Sequence, residues 1–295
     1  MIRALLVILS FAVLSSAQAA DDKAFFWQVT SEHSVVYLTG SIHFADKSFY
    51  PLRQEIEEAF DRSKYLVVEL DINRMDHDAY NRLVSQNGMY GEGKTIKDVL
   101  SEDTWLQLKQ RLQQLDVEYG TVEKLKPGIL VLTLSAIHAM QMGLDPQLGI
   151  DAHFLKKAAQ QAQKQVIELE TMEQQIGLFL NVPDAELLLK ESLYSLDEAE
   201  ALMDEMVRYW KQGDEAQMNK LLFEEAVDLY PAFTEIYDRL FYQRNHQMTT
   251  KIDLMLKQKS AEKMFYFVVV GSGHLLGEKG IVNALREKGY EVKRL

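Results

Sequence analysis

The chain contains no cysteine. That excludes disulfides, thiolate metal ligands and a cysteine nucleophile, so the fold must rest on its core alone. Long apolar runs are scarce. Apart from residues 4–14, no stretch approaches the roughly 20 apolar residues a membrane helix needs. Basic residues are outnumbered, 32 Lys and Arg against 44 Asp and Glu. A formal charge of −12 with no dense Lys/Arg patch argues against a nucleic-acid surface. Several chemical signatures are missing as well: there is no G-x-S-x-G elbow, no H-E-x-x-H and no phosphate-binding loop. The stretch from Gly271 to Leu276 lacks the third glycine of a dinucleotide turn. No repeat and no low-complexity linker is visible.

What is present begins with Met1, Ile2 and Arg3, an apolar run to Leu14, and Ala17-Gln18-Ala19. One basic residue, a short hydrophobic core and an A-x-A site describe a Sec-type signal peptide over residues 1–19. The expectation is a mature chain of residues 20–295, periplasmic or secreted, with no stable membrane span after cleavage. About 275 residues permit one large domain or two modest ones.

The most informative stretch is residues 265–277. Six aromatic and β-branched residues run to Gly271, too few for an ordinary helix, and read as a fully buried strand. His274 stands three residues past that glycine. Upstream, residues 35–39 form another apolar strand, followed by Gly40 and then His43 at the same spacing. In open α/β sheets ligands collect outside the carboxyl ends of strands, which is where both histidines project. Residues 64–68 and 165–167 are further short strands ending in carboxylates, Glu69 and Asp71 in one case, Glu168 and Glu170 in the other. A helix starting in its first turn with Pro51 separates two of these strands, giving a βαβ unit whose carboxyl ends share one side.

Other residues carry weaker signals. Residues 25–29 and 34–39 suggest an opening hairpin, with His33 an exposed turn residue. His138 lies mid-helix and is read as a core histidine. Asp151 stands where it either caps its helix or faces a site, the cap being favoured. Residues 183–259 read as almost wholly helical: Ser195 to Glu198 resembles a capping box, Gly213-Asp214 breaks two helices, and Pro231 starts a long final one. Arg244 falls on that helix's apolar stripe, between Leu240 and Met248, where a guanidinium needs a carboxylate or anion unless it snorkels out. These helices are open to two uses, a lid or a homo-oligomer contact.

Two imidazoles with two or three carboxylates suit a divalent first-row ion, Mn²⁺, Zn²⁺, Co²⁺ or Fe²⁺, and with it a bound water activated for hydrolysis. A metal-free His/Glu acid–base pair fits the same residues.

The pattern Leu38-Thr-Gly40-Ser-Ile-His43, Tyr50-Pro51, Val67-Val-Glu69-Leu-Asp71, Gly149-Ile-Asp151, Phe154, Leu169-Glu170-Thr171, Gln174, Arg244-Asn245 and Gly271-Ser-Gly-His274 with Gly277 resembles the TraB/GumN family, which includes the TIKI proteins. The resemblance covers essentially the whole mature chain. It implies an α/β fold with an erythromycin-esterase/ChaN-like core, a mostly parallel sheet and helical insertions at about 72–160 and 183–259. It also implies that His43 and His274 are metal ligands with Glu69, and that Glu69, Glu170, Arg244 and Asn245 serve catalysis. The function implied is an exported metal-dependent, peptidase-like hydrolase acting on a peptide or other small exported substrate. Alternatives are a binding protein that captures a peptide in the same cleft, or a metal-independent His/Glu esterase.

Overall fold

Short apolar runs alternating with amphipathic ones set up the architecture, seen in a computed structural model that describes residues 22–295, except the side chains at 197 and 199–201. The expected signal peptide lies outside those residues. Strand β1 (Phe26–Thr30) turns back onto β2 (Ser34–Ser41), and α1 (Gln54–Arg62) leads to β3 (Tyr65–Val68). Helices α2 (His77–Asn87), α3 (Glu102–Gln114), α4 (Tyr119–Val122), α5 (Pro127–Gln141) and α6 (Ile150–Ala159) then precede β4 (Gln165–Glu168). A second helical series follows: α7 (Met172–Leu180), α8 (Ala185–Gln212), α9 (Glu215–Asn219), α10 (Glu225–Leu229), α11 (Phe233–Tyr237) and α12 (Gln243–Lys257). The chain closes with β5 (Met264–Gly271), α13 (Ser272–Leu275), α14 (Ile281–Glu287) and β6 (Glu291–Arg294). No described helix is long and apolar enough to cross a membrane.

The six strands form one sheet in the order β4-β3-β5-β2-β1-β6. β4, β3, β5 and β2 run parallel, whereas β1 is antiparallel to both β2 and β6. The sheet is therefore mixed, which corrects the expectation of a mostly parallel one. The reason is local: Ser31 to His33 is a turn, and parallel neighbours need a crossover of a dozen or more residues. β5 arrives late yet inserts between β2 and β3, covered on both faces, which is why Tyr266 to Val270 are uninterruptedly apolar and buried.

The sheet core packs Phe60, Phe154 and Phe267 ring against ring, at 4.7 to 5.6 Å between centroids. A separate apolar cluster, with Leu108, Leu112, Leu130, Leu134, Leu189 and Leu193, joins α3, α5 and α8. Three local expectations are corrected. α8 runs unbroken through Ser195, whose hydroxyl donates back one turn to Glu191 Oε1 at 2.8 Å, leaving Asp184 as the cap. Pro51 lies ahead of α1 on a cis peptide, outside its first turn. The run after Pro231 is interrupted by a π-helical turn, Asp238–Tyr242, between α11 and α12. The Gly213 break stands: its φ of 64° closes α8 in a left-handed conformation that glycine adopts freely, and Asp214 caps α9.

Candidate functional site

Parallel register does the first part of the positioning. Ser41 stands beside Gly271 and Val68 beside Val269, so β2, β5 and β3 finish almost level. His43, His274 and Glu69 leave the sheet within three residues of that edge. Gly271 lets them meet. A Cβ added there would stand 3.4 Å from Glu69 Oε1, 3.4 Å from His43 Nε2 and 3.5 Å from His274 Cδ2. The missing side chain leaves a hollow bordered by all three groups.

His274 is buried, its side chain 4% exposed, with Phe241 packed on the ring at 5.2 Å between centroids. Its Nδ1 lies 2.6 Å from Asn245 Oδ1, while Asn245 Nδ2 donates to the Lys279 carbonyl at 2.9 Å. With the amide nitrogen so engaged, Asn245 presents its oxygen to the ring; the proton sits on Nδ1 and Nε2 is left as an acceptor. Burial pushes the imidazole down to about 4 against the pull of Glu69, so the ring is neutral at physiological pH.

His43 differs. Its side chain is 55% exposed, and its Nδ1 lies 3.2 Å from Asp151 Oδ1, which also accepts from Ser41 Oγ at 2.7 Å. Partial loss of solvent works against protonation, but the Asp151 carboxylate, with help from Glu69, raises the ring to about 9. Asp151 is not the helix cap expected. Gly149 caps α6, and Asp151, two residues in, turns its carboxylate to the histidine.

Two buried glutamates and an arginine complete the centre. Glu69 Oε1 accepts from the Gly271 N–H at 2.6 Å, and Oε2 accepts from Arg244 Nη2 at 2.6 Å. Arg244 Nε donates to Glu170 Oε1 at 2.7 Å, Nη2 also reaches Glu170 Oε2, and Nη1 donates to the Leu240 carbonyl within the π turn at 2.9 Å. The guanidinium is thus committed to the two carboxylates. Burial would raise Glu69, yet it is held at about 2 by His274, His43, Arg244 and the Gly271 N–H. Since His274 is neutral above about pH 4, the cations holding Glu69 ionised at neutral pH are His43 and Arg244.

The structure brings together His43, Glu69, Glu170, Arg244, Asn245 and His274. It turns away Glu168, whose carboxylate accepts from the Asp71 N–H at 2.8 Å, and Asp71, which caps the turn Ile72–Arg74. His138 stays half-buried on α5, outside this group, and His33 sits in the β1–β2 turn. Two residues enter that sequence reasoning did not place. Asp151 reads in the sequence as a helix cap in preference to a site residue. Gln175 Nε2, 3.0 Å from Glu170 Oε2 and 3.4 Å from Glu69 Oε2, carried no signal of its own. Its neighbour Gln174, part of the Leu169-Glu170-Thr171 motif, caps α7 with Thr171. A cleft of about 310 Å³ opens beside the centre, bordered by His43, Glu69, Asp151 and Gln175.

Fold and site define an α/β protein with a histidine–carboxylate centre at its strand ends. Residues 25–294 match the TraB/PrgY/gumN family, and the chain belongs to it. It is 27% identical over 252 residues to the uncharacterized protein YbaP of Escherichia coli K12, covering 85% of this chain and 87% of that one. It is 25% identical over 325 residues to metalloprotease TIKI2 of Xenopus tropicalis, and 22% over 329 residues to metalloprotease TIKI1 of Homo sapiens. Those two alignments cover 92% and 94% of this chain, but only 60% and 63% of the relatives. No solved structure matches.

Among the described residues, no three His, Cys, Asp or Glu side chains stand close enough together to hold a metal ion. The donor chemistry nevertheless suits one. Both imidazoles have Nδ1 held by an oxygen, the arrangement that orients metal-ligating histidines, and Nε2 of His43 and Oε1 of Glu69 border the Gly271 hollow beside the His274 ring. With His43 deprotonated, Glu69, Glu170 and Asp151 oppose the single Arg244 cation, leaving two negative charges that a divalent ion would offset.

Proposed function

We propose that the chain is an exported metal-dependent hydrolase that cleaves peptides. The observation that carries this reading is that His43, Glu69 and His274 all border the Gly271 hollow with both Nδ1 atoms already held; as described they stand too far apart to hold an ion, so binding would have to draw them together. The distant relatives named metalloproteases support it, as does the family resemblance that implies an erythromycin-esterase/ChaN-like core. His43, His274 and Glu69 would hold the ion; when bound it would act as a Lewis acid and lower the pKa of a water. Arg244 positions Glu69, and Glu170 with Gln175 holds Arg244. Asn245 fixes the His274 tautomer and Asp151 aims His43 into the cleft, where peptide enters. A second reading rests on the His43–Asp151 pair itself: a carboxylate-held imidazolium facing a cleft serves metal-free general-acid catalysis of ester or amide cleavage, and becomes a base only as pH rises through about 9.

Elemental analysis of protein purified without chelator, beside a His43→Ala/His274→Ala double variant, tests the reading. One ion per chain in the parent, none in a folded double variant, and peptide cleavage abolished by chelation is the expected result. Cleavage that survives exhaustive chelation points to the His43–Asp151 mechanism. Peptide retained uncleaved after prolonged incubation with Mn²⁺, Zn²⁺, Co²⁺ or Fe²⁺ leaves a binding protein.

A further inference from the structure

A second cavity adjoins the cleft at the centre. Leu70, next to Glu69, and Gln175, bonded to Glu69 and Glu170, border both the 310 Å³ cleft and a second cavity of about 160 Å³. The remaining wall of this annex is Met75, Tyr80, Leu132, Met172, Ile176 and Phe179, from α2 and the turn before it, α5 and α7. No charged residue lines it. Met172 and Ile176 root it in a small apolar cluster with Ile129, so the walls are held by packing, while Met75, Tyr80, Leu132 and Phe179 stay half-buried.

We propose that this annex is the side-chain subsite of the cleft and takes an aliphatic, methionine or single-ring aromatic side chain next to the amide that is cleaved. The proposal deepens, and rests on, the peptidase reading. Adjacency decides the occupant: Leu70, one residue from Glu69, and Gln175 line both cavities, so a chain lying across the Gly271 hollow places a neighbouring side chain beside Leu70. Size and chemistry decide the rest. An apolar cavity of about 150 Å³ accommodates a benzene ring, so this one holds Leu, Met or Phe and leaves no room for a tryptophan indole. A carboxylate or ammonium would enter with no charged partner to offset its desolvation. The two methionines suit side chains of several shapes.

Two measurements on the whole chain test this. In the first, a peptide series varying one residue beside the cleaved bond is compared by kcat/KM. Leu, Met and Phe are expected to exceed Ala by about ten-fold or more, with Trp and Asp rejected. Leu132→Trp, with Met75→Trp as a second obstruction should the first not fold, should collapse the Leu-over-Ala ratio while the Ala peptide keeps its rate. In the second, the ε-methyl NMR signals of Met75 and Met172 are followed as N-acetyl-leucinamide is added. Saturable shifts are expected that N-acetyl-alaninamide does not reproduce and Leu132→Trp removes. Shifts without cleavage of any peptide would retain the annex and remove the hydrolase. Cleavage indifferent to side chain, with silent methyls, would overturn the annex and leave the hydrolase. Absence of both would overturn both.

Discussion

Gly40-Ser41-Ile42-His43 and Gly271-Ser272-Gly273-His274 have the same spacing, end neighbouring parallel strands one residue out of register, and are tied together by Ser272 Oγ donating to the Ser41 carbonyl at 3.0 Å. Their histidines nevertheless hold opposite states. His43 stands at the solvent edge against a carboxylate and is protonated, whereas His274 lies buried against an uncharged amide and is neutral. Their first glycines differ as much. A Cβ on Gly40 would come 2.7 Å from Ser272 Oγ and 3.0 Å from Phe25 Cβ, so this glycine serves packing. Gly271 faces the open hollow. A motif supplies reach from a strand end; the charge and accessibility of what it carries come from the elements packed around it.

The strongest test of that contrast removes the charge the two halves share. Arg244→Ala would leave Glu69 and Glu170 buried without their cation, at a cost of about 3–5 kcal/mol in urea unfolding. It should also raise both imidazoles, because Arg244 lowers each of them; an unmoved His274 NMR titration would show that burial alone sets its state. Next comes Gly40→Ala, expected to destabilise by about 1–3 kcal/mol through overpacking against Phe25 and Ser272.

The pH dependence of the metal-free protein should show the two histidines as separate limbs. His43 is raised in the fold, so its contribution is full below the ordinary 6.5 and is lost as pH rises through about 9. His274 is depressed, so between 6.5 and about 4 the unfolded chain binds more protons and stability falls as pH is lowered. Stability should peak near pH 6.5. Asp151→Asn should erase the alkaline limb only, and Asn245→Asp should raise the His274 titration; a profile in which Asp151→Asn changes the acid limb instead would contradict the assignment. The smallest effect on stability belongs to Gly271→Ala, whose Cβ meets its neighbours at 3.4 Å or more and should cost within about 0.5 kcal/mol. Metal uptake and peptide cleavage should nevertheless fall, since the methyl fills the hollow. Undiminished activity would place the chemistry elsewhere.

Much of this centre is legible in one dimension. Short apolar runs ending in glycine mark β2 and β5 and hence His43 and His274, the carboxylate after residues 65–68 marks Glu69, and helical spacing puts Arg244 on an inward stripe. Asp151 was harder, because a cap and a site-facing residue differ by only two positions at a helix start, and neither is distinguishable without knowing what stands opposite. Gln175 had no mark, being one glutamine of two whose roles depend on the rotation of α7.

The sequence by itself determined which segments become strands, that their carboxyl ends carry histidine and carboxylate, and that Arg244 lies on the apolar stripe of a late helix; each follows from local periodicity and composition. Only the tertiary structure decided that β5 lies between β2 and β3, that Asp151 reaches His43 and Asn245 reaches His274, and so which imidazole is charged. The physical reason is that burial and electrostatic pull are set by neighbours as far as 202 residues apart in the chain, and no local pattern records them.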